Sequence, residues 1–425
     1  MPHLPHLPHL RDVAPRRASA TTPDHAPSRA PRLTPRIALG ATRARVPAVT
    51  VAIALLALGA TPLTAQRTPD RAERPIPVTT ATAPSPCAAT APVPDRVRRG
   101  LATGAHTFVA GGVRLWYCVA GRATPGAAPV VFLHGGPGQG SHHLAAINGA
   151  ALERTLRMVY LDQRGSGRSE RPWTDAYTLA HLVDDVEALR ATLGVPRVSL
   201  LAHSFGGAIA LEYAARYPDR VQRVVLYDAI SDLPASLRAQ CARLAAVHPD
   251  AYATARPAGA AAHASAGDAT ARAATDGATR DTTRDTTRDT TRDVPCDVFG
   301  ALPPERRGPF FRANMFPDTS VATRLDSLAT ASGLPNTGEL SRAMFERERL
   351  TTWRFAGHAR VRAPVLVIAG RLDHQIGLTP QRDLARALPD ARLLVYEASG
   401  HFPNLDEPAR FAHDVSAFLP LLCQK

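Results

Sequence analysis

The segment Val198–Gly207 reads VSLLAHSFGG, and the predicted fold depends on it. A short apolar run suited to a buried strand leads into a sharp turn, and small residues then open a helix. This is the G-x-S-x-G pattern with Ala202 in place of the first glycine, which carries the serine to the top of a sheet and lets helix and strand approach closely. The pattern favours Ser204 as a nucleophile; a serine that only caps a helix is the alternative.

On both sides of this segment, short apolar runs alternate with amphipathic stretches. Two runs that flank a Gly-Gly pair predict a hairpin and six more predict strands, at His106–Ala110, Val113–Val119, Val130–Leu133, Met158–Leu161, Val198–Leu201, Val224–Tyr227, Val365–Ile368 and Leu393–Tyr396. Helices are predicted over Leu179–Leu193, Gly206–Tyr217, Pro380–Leu388 and Pro408–Leu419. The alternation predicts an α/β fold, a mostly parallel sheet with helices on both faces. Ligands of such sheets bind at the carboxyl ends of the strands.

Two candidate partners for the serine follow the last two predicted strands. A serine hydroxyl is a poor nucleophile until a histidine accepts its proton, and the histidine needs a carboxylate to fix its tautomer. Asp373 ends the stretch GRLD after one strand, and His401 lies in the stretch ASGHF after the other. Asp228, after the sixth strand, is the competing acid. His203 and His374 stand next to candidate residues in the sequence, but we interpret them as structural because their side chains should point away.

A glycine-rich turn, HGGPG at His134–Gly138, follows the third predicted strand. Acyl transfer by a serine needs N–H donors for the negative oxygen of the tetrahedral intermediate. We expect the main-chain N–H groups of Gly136 and Phe205 to be that pair, since Phe205 directly follows Ser204. A phosphate-binding loop is the alternative for any glycine-rich turn, but no Lys-Ser/Thr follows this one and no G-x-G-x-x-G pattern contains it.

Taken together, five motifs resemble those of α/β-hydrolases in kind and order. They are HGGPG, DQRGSGRS (Asp162–Ser169), the turn around Ser204, GRLD (Gly370–Asp373) and SGHFPNLDEP (Ser399–Pro408). The pairing of HGGPG with DQRG is most similar to the proline iminopeptidase branch, a group of serine peptidases. The resemblance covers roughly residues 100–425, apart from a low-complexity part. It implies an α/β-hydrolase fold with an inserted helical lid, a Ser204–Asp373–His401 triad and acyl-enzyme chemistry with no cofactor and no metal.

The same resemblance assigns supporting roles around the oxyanion turn. It implies that residues of the turn and of the DQRG loop hold the turn in place without reacting, namely His134, Gly135, Asp162, Gln163 and Arg164. Proline iminopeptidases also hold the substrate's free amine on lid glutamates within a W-x-x-W-E stretch. This chain has no such stretch, since Trp353 stands alone in TTWRFAG. Substitutes for the missing glutamate are Glu339, Glu346 and Glu348, although ordinary solvated helix charges explain them equally well.

These observations leave the substrate open. A proline iminopeptidase-type aminopeptidase that acts on a peptide is the expected function. A carboxylesterase or lactonase that acts on small esters is the alternative, because peptides and esters share the same acyl chemistry. A non-catalytic binding protein on the same fold is a remote alternative.

Composition divides the chain into five parts. Residues 1–65 predict a disordered N-terminal region and a signal peptide or anchor, 66–100 a Pro/Thr/Ala linker, 101–229 and 362–425 the two halves of the hydrolase core, and 230–361 the lid, with a low-complexity segment at 251–293. Residues 46–66 carry no charge, follow two arginines and end in small residues, the order typical of a secretory signal. An uncleaved membrane tether is the alternative. Both predict export, to the periplasm, to the outside of the cell or to the outer side of a membrane.

Charge and cysteine content exclude other classes. The formal net charge is +13 over 425 residues, but the arginines form no stripe, so we expect no nucleic-acid partner. Among the five cysteines, no pair has the CxxC spacing of a zinc or redox motif. In an exported chain some cysteines form disulfides, and Cys241 and Cys296, which bracket the low-complexity segment, are the predicted pair. The oligomeric state is not predicted.

Overall fold

The computed structural model describes residues 85–88, 100–173, 176–255, 296–334, 336 and 338–420. The predicted signal or tether at 46–66, most of the linker and the repeat RDTTRDTTRDTTRD at 280–293 lie outside the described residues. Within the described ranges, no helix has both the length and the apolar character that crossing a membrane requires.

A single sheet of eight strands forms the centre of the described part of the chain. The strands are β1 Gly104–Ala110, β2 Val113–Gly121, β3 Val130–Leu133, β4 Arg157–Asp162, β5 Val198–His203, β6 Val221–Tyr227, β7 Val365–Gly370 and β8 Ala391–Tyr396. Their order across the sheet is β1-β2-β4-β3-β5-β6-β7-β8. Strand β2 is antiparallel to β1 and β4, and the remaining neighbours are parallel. The predicted α/β fold with a mostly parallel sheet is confirmed.

Helices connect the strands and cover the sheet. They are α1 His142–Ile147, α2 Gly149–Leu152, α3 Leu179–Leu193, α4 Phe205–Arg216, α5 Leu233–Val247, α6 Pro249–Ala255, α7 Pro304–Met315, α8 Thr319–Ser332, α9 Glu339–Arg342, α10 Leu378–Ala387, α11 Pro403–Asp406 and α12 Pro408–Phe418. Short 3₁₀ turns lie at Pro218–Arg220, Leu350–Thr352 and His358–Arg360, and a π-helical turn at Ala343–Arg347. The four predicted helices are present, each within two residues of its predicted ends.

Alternation along the strands gives the sheet two buried faces. In β3, for example, Leu133 packs into a core under α3, α4 and α10, whereas Phe132 packs into a second core under α1, α2 and α12. Successive side chains of a strand point to opposite faces, so an apolar residue at every position is needed where both faces are covered. This explains why the central strands are continuous apolar runs in the sequence.

The interval between β6 and β7 carries helices α5 to α9, where the sequence predicts an inserted helical lid. Asp232 directly precedes its helix α5 and caps it, since the Asp232 carboxylate accepts a hydrogen bond from the N–H of Ala235. The disulfide Cys241–Cys296 joins α5 to the segment that precedes α7. The disulfide predicted from the sequence is therefore confirmed.

A second disulfide, Cys87–Cys118, differs from the sequence expectation. It fixes residues 85–88, inside the predicted linker, to strand β2. Cys87 is fully buried, and the Ser85 hydroxyl donates a 2.6 Å hydrogen bond to Glu153. The Pro/Thr/Ala composition predicts the linker, and four residues held by a disulfide do not alter that composition.

Candidate active site

Strand β5 and helix α4 meet in a sharp turn at Ser204. The backbone of Ser204 has φ 49° and ψ −117°. Residues other than glycine adopt this backbone conformation only when their surroundings impose it. Here the main chain imposes it: the N–H of Ser204 donates to Tyr227 O at 3.2 Å, and its C=O accepts from the N–H groups of Gly207 and Ile230, each at 2.9 Å. The turn therefore presents the serine hydroxyl at the carboxyl end of β5.

Small residues after the serine allow helix α4 to lie against strand β3. A Cβ atom added at Gly206 would lie 2.1 Å from the carbonyl oxygen of Leu133 and 2.9 Å from that of His134. Because both are backbone atoms that cannot move aside, only glycine fits at this position. The glycine of the sequence pattern thus has a packing reason that is independent of catalysis.

Three side chains from separate turns form one hydrogen-bonded chain. His401 Nε2 lies 3.1 Å from Ser204 Oγ, and His401 Nδ1 lies 3.0 Å from Asp373 Oδ2. An ionised carboxylate only accepts hydrogen bonds, so Nδ1 carries the proton and Nε2 is left to accept from the serine hydroxyl. All three residues are at most 6% exposed. The structure thus brings together the three candidate residues that the sequence indicates.

Main-chain donors hold the acid of this chain in place. Asp373 Oδ1 accepts from the N–H groups of Gln375 at 2.7 Å and Ile376 at 3.1 Å, which leaves Oδ2 for the histidine. The turn that carries His401 is fixed in a similar way, since the N–H of His401 donates to Met315 O at 2.8 Å. Met315 ends helix α7, so the interval between β6 and β7 helps to position the histidine.

The neighbouring histidine, His203, lies closer to the site than the sequence suggested. Its Nε2–H donates to the main-chain carbonyl of His401 at 2.9 Å, and the two rings are 4.8 Å apart. Burial holds the pKa of His203 well below its usual value, and electrostatic repulsion from His401 lowers it further, so the ring is neutral. The expectation that its side chain points away from the triad is wrong: His203 is structural, but it supports His401 directly.

The competing acid, Asp228, lies beside the three hydrogen-bonded side chains but is not one of them. It is buried, it has φ 41°, and its Oδ1 accepts from the N–H of Gly370 at 3.0 Å. Side-chain atoms of Asp228, Asp373 and His401 lie within 4.8 Å of one another, which makes them the only metal-compatible cluster among the described residues. Two of these three residues, Asp373 and His401, already use their side-chain atoms in the hydrogen bonds that lead to Ser204.

The glycine-rich turn lies next to the serine. A Cβ atom added at Gly135 would lie 3.0 Å from Ser204 Cβ, and Gly136, with φ 114°, lines the same cavity as Ser204 and His401. The N–H of Phe205 belongs to the first turn of helix α4, where N–H groups have no partner within the helix. Both expected donors thus border the serine.

The DQRG loop contacts this turn through Gln163 and contacts the residue before helix α1 through Asp162. Gln163 donates from its main-chain N–H to His134 Nε2 at 3.2 Å and from its side chain to His134 O at 2.9 Å. Asp162 Oδ1 accepts from Ser141, which directly precedes helix α1 just after the turn. Burial alone would raise the pKa of Asp162, but Arg168 and the hydrogen bonds of Ser141 lower it overall, so the carboxylate is charged.

Arg164 occupies a different place from the expected one. Its guanidinium forms a two-pronged ion pair with Asp185 of helix α3, at 2.6 and 2.7 Å, and donates to Ala176 O. It therefore fixes the DQRG loop to α3 and does not contact the glycine-rich turn. Arg168 is the arginine that pairs with Asp162, at 3.0 Å. Sequence reasoning missed Arg168 and Ser141, although the second arginine of DQRGSGRS was visible as a potential partner for the aspartate.

A small cavity opens above the serine. It has a volume of about 60 Å³ for water-sized molecules and lies between the two halves of the core and helices α5 and α7. Most of its wall is apolar, made by Ile230, Leu233, Leu237, Phe299, Met315, Phe316, Phe345, Ile376 and Phe402. The polar part of the wall is made by Ser204, His203, His401, Gln139, Gln240 and Gln375. None of the described residues that line it carries a carboxylate.

A family model described as the alpha/beta hydrolase fold matches residues 128–408. The chain belongs to the α/β-hydrolase fold family. That membership agrees with the strand order, the sharp turn at Ser204 and the position of His401 after the last strand of the sheet.

Known proteins similar to this α/β-hydrolase carry different names. A proline iminopeptidase of Thermoplasma volcanium is 31% identical over 30% of this chain and 43% of its own length. A cis-3-alkyl-4-alkyloxetan-2-one decarboxylase of Shewanella oneidensis is 35% identical over 28% of this chain and 37% of its own length. The chain thus spans less than half the length of these curated relatives. The crystal structure of a proline iminopeptidase-related protein of Thermus thermophilus has a TM-score of 0.57 and 24% identity, covering 76% of this chain and all of its own, which supports the fold.

Proposed function

We propose that this α/β-hydrolase is a serine hydrolase with Ser204 as nucleophile, His401 as general base and Asp373 as the acid that orients His401. Ser204 Oγ attacks a carbonyl carbon while His401 Nε2 takes its proton, and the N–H groups of Gly136 and Phe205 stabilise the resulting oxyanion. His401 then returns the proton to the leaving group. Water, activated by the same histidine, releases the acyl group from Ser204. The hydrogen-bonded chain of the three side chains at the cavity floor carries this proposal.

For the substrate, we propose a small carboxylic ester with an apolar acyl group. The wall that surrounds Ser204 is built mainly from leucine, isoleucine, methionine and phenylalanine side chains. A volume of about 60 Å³ corresponds to roughly four to six water-sized groups, at about 10–15 Å³ each. This favours short acyl chains over large ones.

The absence of a carboxylate from the described cavity wall is the observation that favours an ester over a peptide with a free amine. Glu339 accepts a hydrogen bond from the Tyr177 hydroxyl at 3.2 Å, and Glu348 accepts one from the N–H of Leu179 at 3.4 Å. Glu346 is exposed, and none of the three lines the cavity. An ammonium group in an apolar cavity without a counter-charge is costly to desolvate.

An aminopeptidase of the proline iminopeptidase type is the second candidate. The pairing of HGGPG with DQRG supports it, as do the names of several curated relatives. Under this candidate, a carboxylate outside the described wall would meet the substrate's ammonium. Such a charge-assisted contact is worth roughly 1.5–3 kcal/mol, or about 10–150-fold in transition-state binding.

One substrate panel separates the two candidates. We expect p-nitrophenyl acetate and butyrate to be hydrolysed by the wild-type protein, and kcat/KM to fall as the acyl chain grows beyond about six carbons. Prolyl and alanyl p-nitroanilides should react slowly, at equal rates with free and N-acetylated amines. A preference of 10-fold or more for the free amine would contradict the esterase assignment and support the aminopeptidase.

We also propose that the enzyme is exported, with residues 46–66 as a cleaved signal or as a membrane tether. The uncharged apolar stretch after two arginines supports this, and so do the two disulfides, since disulfides persist in oxidising compartments. A fusion of residues 1–100 to a reporter that is active only outside the cytoplasm should be active. An inactive reporter would contradict export, and fractionation of the active fusion distinguishes the soluble from the tethered form.

A further inference from the structure

Two aspartates end neighbouring strands at the carboxyl edge of the sheet. Strands β6 and β7 are parallel and pair Tyr227 with Ile368, so Asp228 directly follows one partner and Asp373 lies in the turn after the other. Oxygen atoms of the two carboxyl groups and a ring nitrogen of His401 lie within 4.8 Å of one another. The histidine thus has two carboxyl groups within reach, of which one makes the hydrogen bond.

Both carboxyl groups are too deeply buried to be charged together. Asp228 is 1% exposed and Asp373 2% exposed. The ionisable groups that face Asp228 are Asp373, His401, the Tyr227 hydroxyl group of its own strand and, farther off, Asp406. Two adjacent buried carboxylates share one proton because like charges at this separation repel each other strongly.

The hydrogen bonds decide which carboxyl group keeps the proton. Asp373 accepts from two main-chain N–H groups and from His401, three interactions that favour its charged form. Asp228 accepts from one N–H group through Oδ1, whereas no donor reaches its buried Oδ2, which is therefore the oxygen that can carry the proton. Burial, reinforced by the charge of Asp373, raises the pKa of Asp228 well above its usual value.

We propose that Asp228 is a positioning residue of the triad, which shares a proton with Asp373 and takes its place beside His401 when Asp373 is lost. This inference rests on the proposed function of Ser204. In the resting enzyme, the Asp228 hydroxyl donates to the Asp373 carboxylate. If an amide replaces Asp373, the neighbouring negative charge disappears and only burial still favours the neutral form of Asp228, which then ionises as the pH rises. The new carboxylate then stabilises the imidazolium that forms when His401 takes the proton of Ser204.

The test is a double-mutant cycle read by the rate at which a fluorophosphonate labels Ser204. Loss of a triad acid ordinarily costs about 10⁴-fold. We expect Asp373→Asn to lose only about 10–100-fold, and Asp373→Asn with Asp228→Asn to lose about 10⁴-fold. Asp228→Asn alone keeps an N–H donor toward Asp373, so it should lower the rate less than Asp228→Leu does. Asp228→Leu, which lacks a donor, should lower kcat with an unchanged KM on any ester that the enzyme accepts.

Labelling does not depend on the natural substrate, so the outcomes separate the two proposals. If Asp373→Asn loses 10⁴-fold and the added Asp228→Asn changes nothing, the role of Asp228 is refuted while the triad stands. If the wild type is not labelled at all, the triad is refuted and this inference with it. A pH profile guards against a purely structural effect: the residual rate of Asp373→Asn should rise with pH as Asp228 ionises, and that rise should vanish in the double variant.

Discussion

Asp162 holds the start of helix α1 through Ser141, whose N–H and hydroxyl donate to the same carboxylate oxygen at 2.8 and 2.6 Å. The other oxygen of Asp162 accepts from the N–H of Arg168 at 2.9 Å and from its guanidinium at 3.0 Å. Arg168 lies over the ring of Trp116 and also donates to Ala88 O, in the segment that the Cys87–Cys118 disulfide anchors. A continuous set of contacts therefore runs from the N-terminal segment to Ser141, which follows the glycine-rich turn and precedes helix α1.

Replacing Asp162 by Asn should destabilise the protein strongly. The change leaves the buried guanidinium of Arg168 without its counter-charge, which typically costs about 3–5 kcal/mol. Urea unfolding of the wild type and the variant measures this difference. Asp219→Asn is the matched control, because Asp219 pairs with Arg362 at 3.4 Å on the surface with its side chain 82% exposed. The control should not change the unfolding free energy, and an equally small change in Asp162→Asn would show that the buried pair does not hold the loop.

Acid should destabilise the protein through its buried histidines. Burial lowers the pKa of His134 from 6.5 to about 4, and it lowers the pKa of His142, His143 and His203 as well. As the pH falls, these histidines bind protons in the unfolded chain before they do so in the folded protein. The folded state therefore keeps its full stability above pH 6.5 and loses stability as the pH falls toward 4. For His134 alone the loss is about 3 kcal/mol, at 1.36 kcal/mol per unit.

Unfolding free energies measured between pH 4 and 7 test this sign. The wild-type value should rise with pH across this range, and His134→Gln should rise less steeply. His413→Gln, at an exposed position on helix α12, is the control and should follow the wild type. A wild-type stability that is constant or falls from pH 4 to 7 would contradict the assignment of neutral buried rings.

Gly206→Ala should destabilise the junction of β5 and α4. Its methyl group would lie 2.1 Å from the backbone oxygen of Leu133, and overpacking of this kind costs about 1–3 kcal/mol or more. Gly308→Ala in helix α7 is the control, since a Cβ atom there meets nothing within 4 Å, and alanine is the better helix former. Thermal unfolding should show a lower Tm for the first variant and an equal or higher Tm for the second. Equal melting of Gly206→Ala and the wild type would refute the close packing.

The central predicted strands matched the structure because both of their faces are buried. Continuous apolar runs such as Val130–Leu133 can be recognised without knowledge of their neighbours, and the β3 bounds agree with the prediction residue for residue. The places of Ser204, Asp373 and His401 were predictable for a related reason, since each lies in the turn that follows a recognisable strand. Local sequence thus contained most of the information about the sheet and its edge.

Contacts between distant segments were not predictable in the same way. The motif DQRGSGRS shows two arginines near Asp162 but does not say which one pairs with it, because the choice depends on where α3 packs. The Cys87–Cys118 disulfide was missed since five cysteines allow many pairings. The wall of the cavity combines residues from 136 to 402, so its apolar character became visible only in the folded chain.

Loss of the Cys241–Cys296 disulfide should lower stability by about 4 kcal/mol, the chain-entropy value for a loop of this length, given a sequence separation of 55. We expect the paired change Cys241→Ser and Cys296→Ser to show this loss in urea unfolding. The corresponding change at Cys87 and Cys118, with a separation of 31, should cost slightly less. Peptide mapping under non-reducing conditions checks the pairing itself, and free thiols at positions 241 and 296 would contradict it.

Covalent labelling of the serine tests the central claim most directly. A fluorophosphonate needs a nucleophile activated by a base, and the 3.1 Å contact between His401 Nε2 and Ser204 Oγ supplies that arrangement. The wild-type protein should be labelled at Ser204, as mass spectrometry of its peptides would show, and it should lose ester hydrolysis in step with labelling. Ser204→Ala should fold like the wild type but neither label nor turn over. Full turnover by Ser204→Ala, or labelling at another residue, would contradict the proposed mechanism.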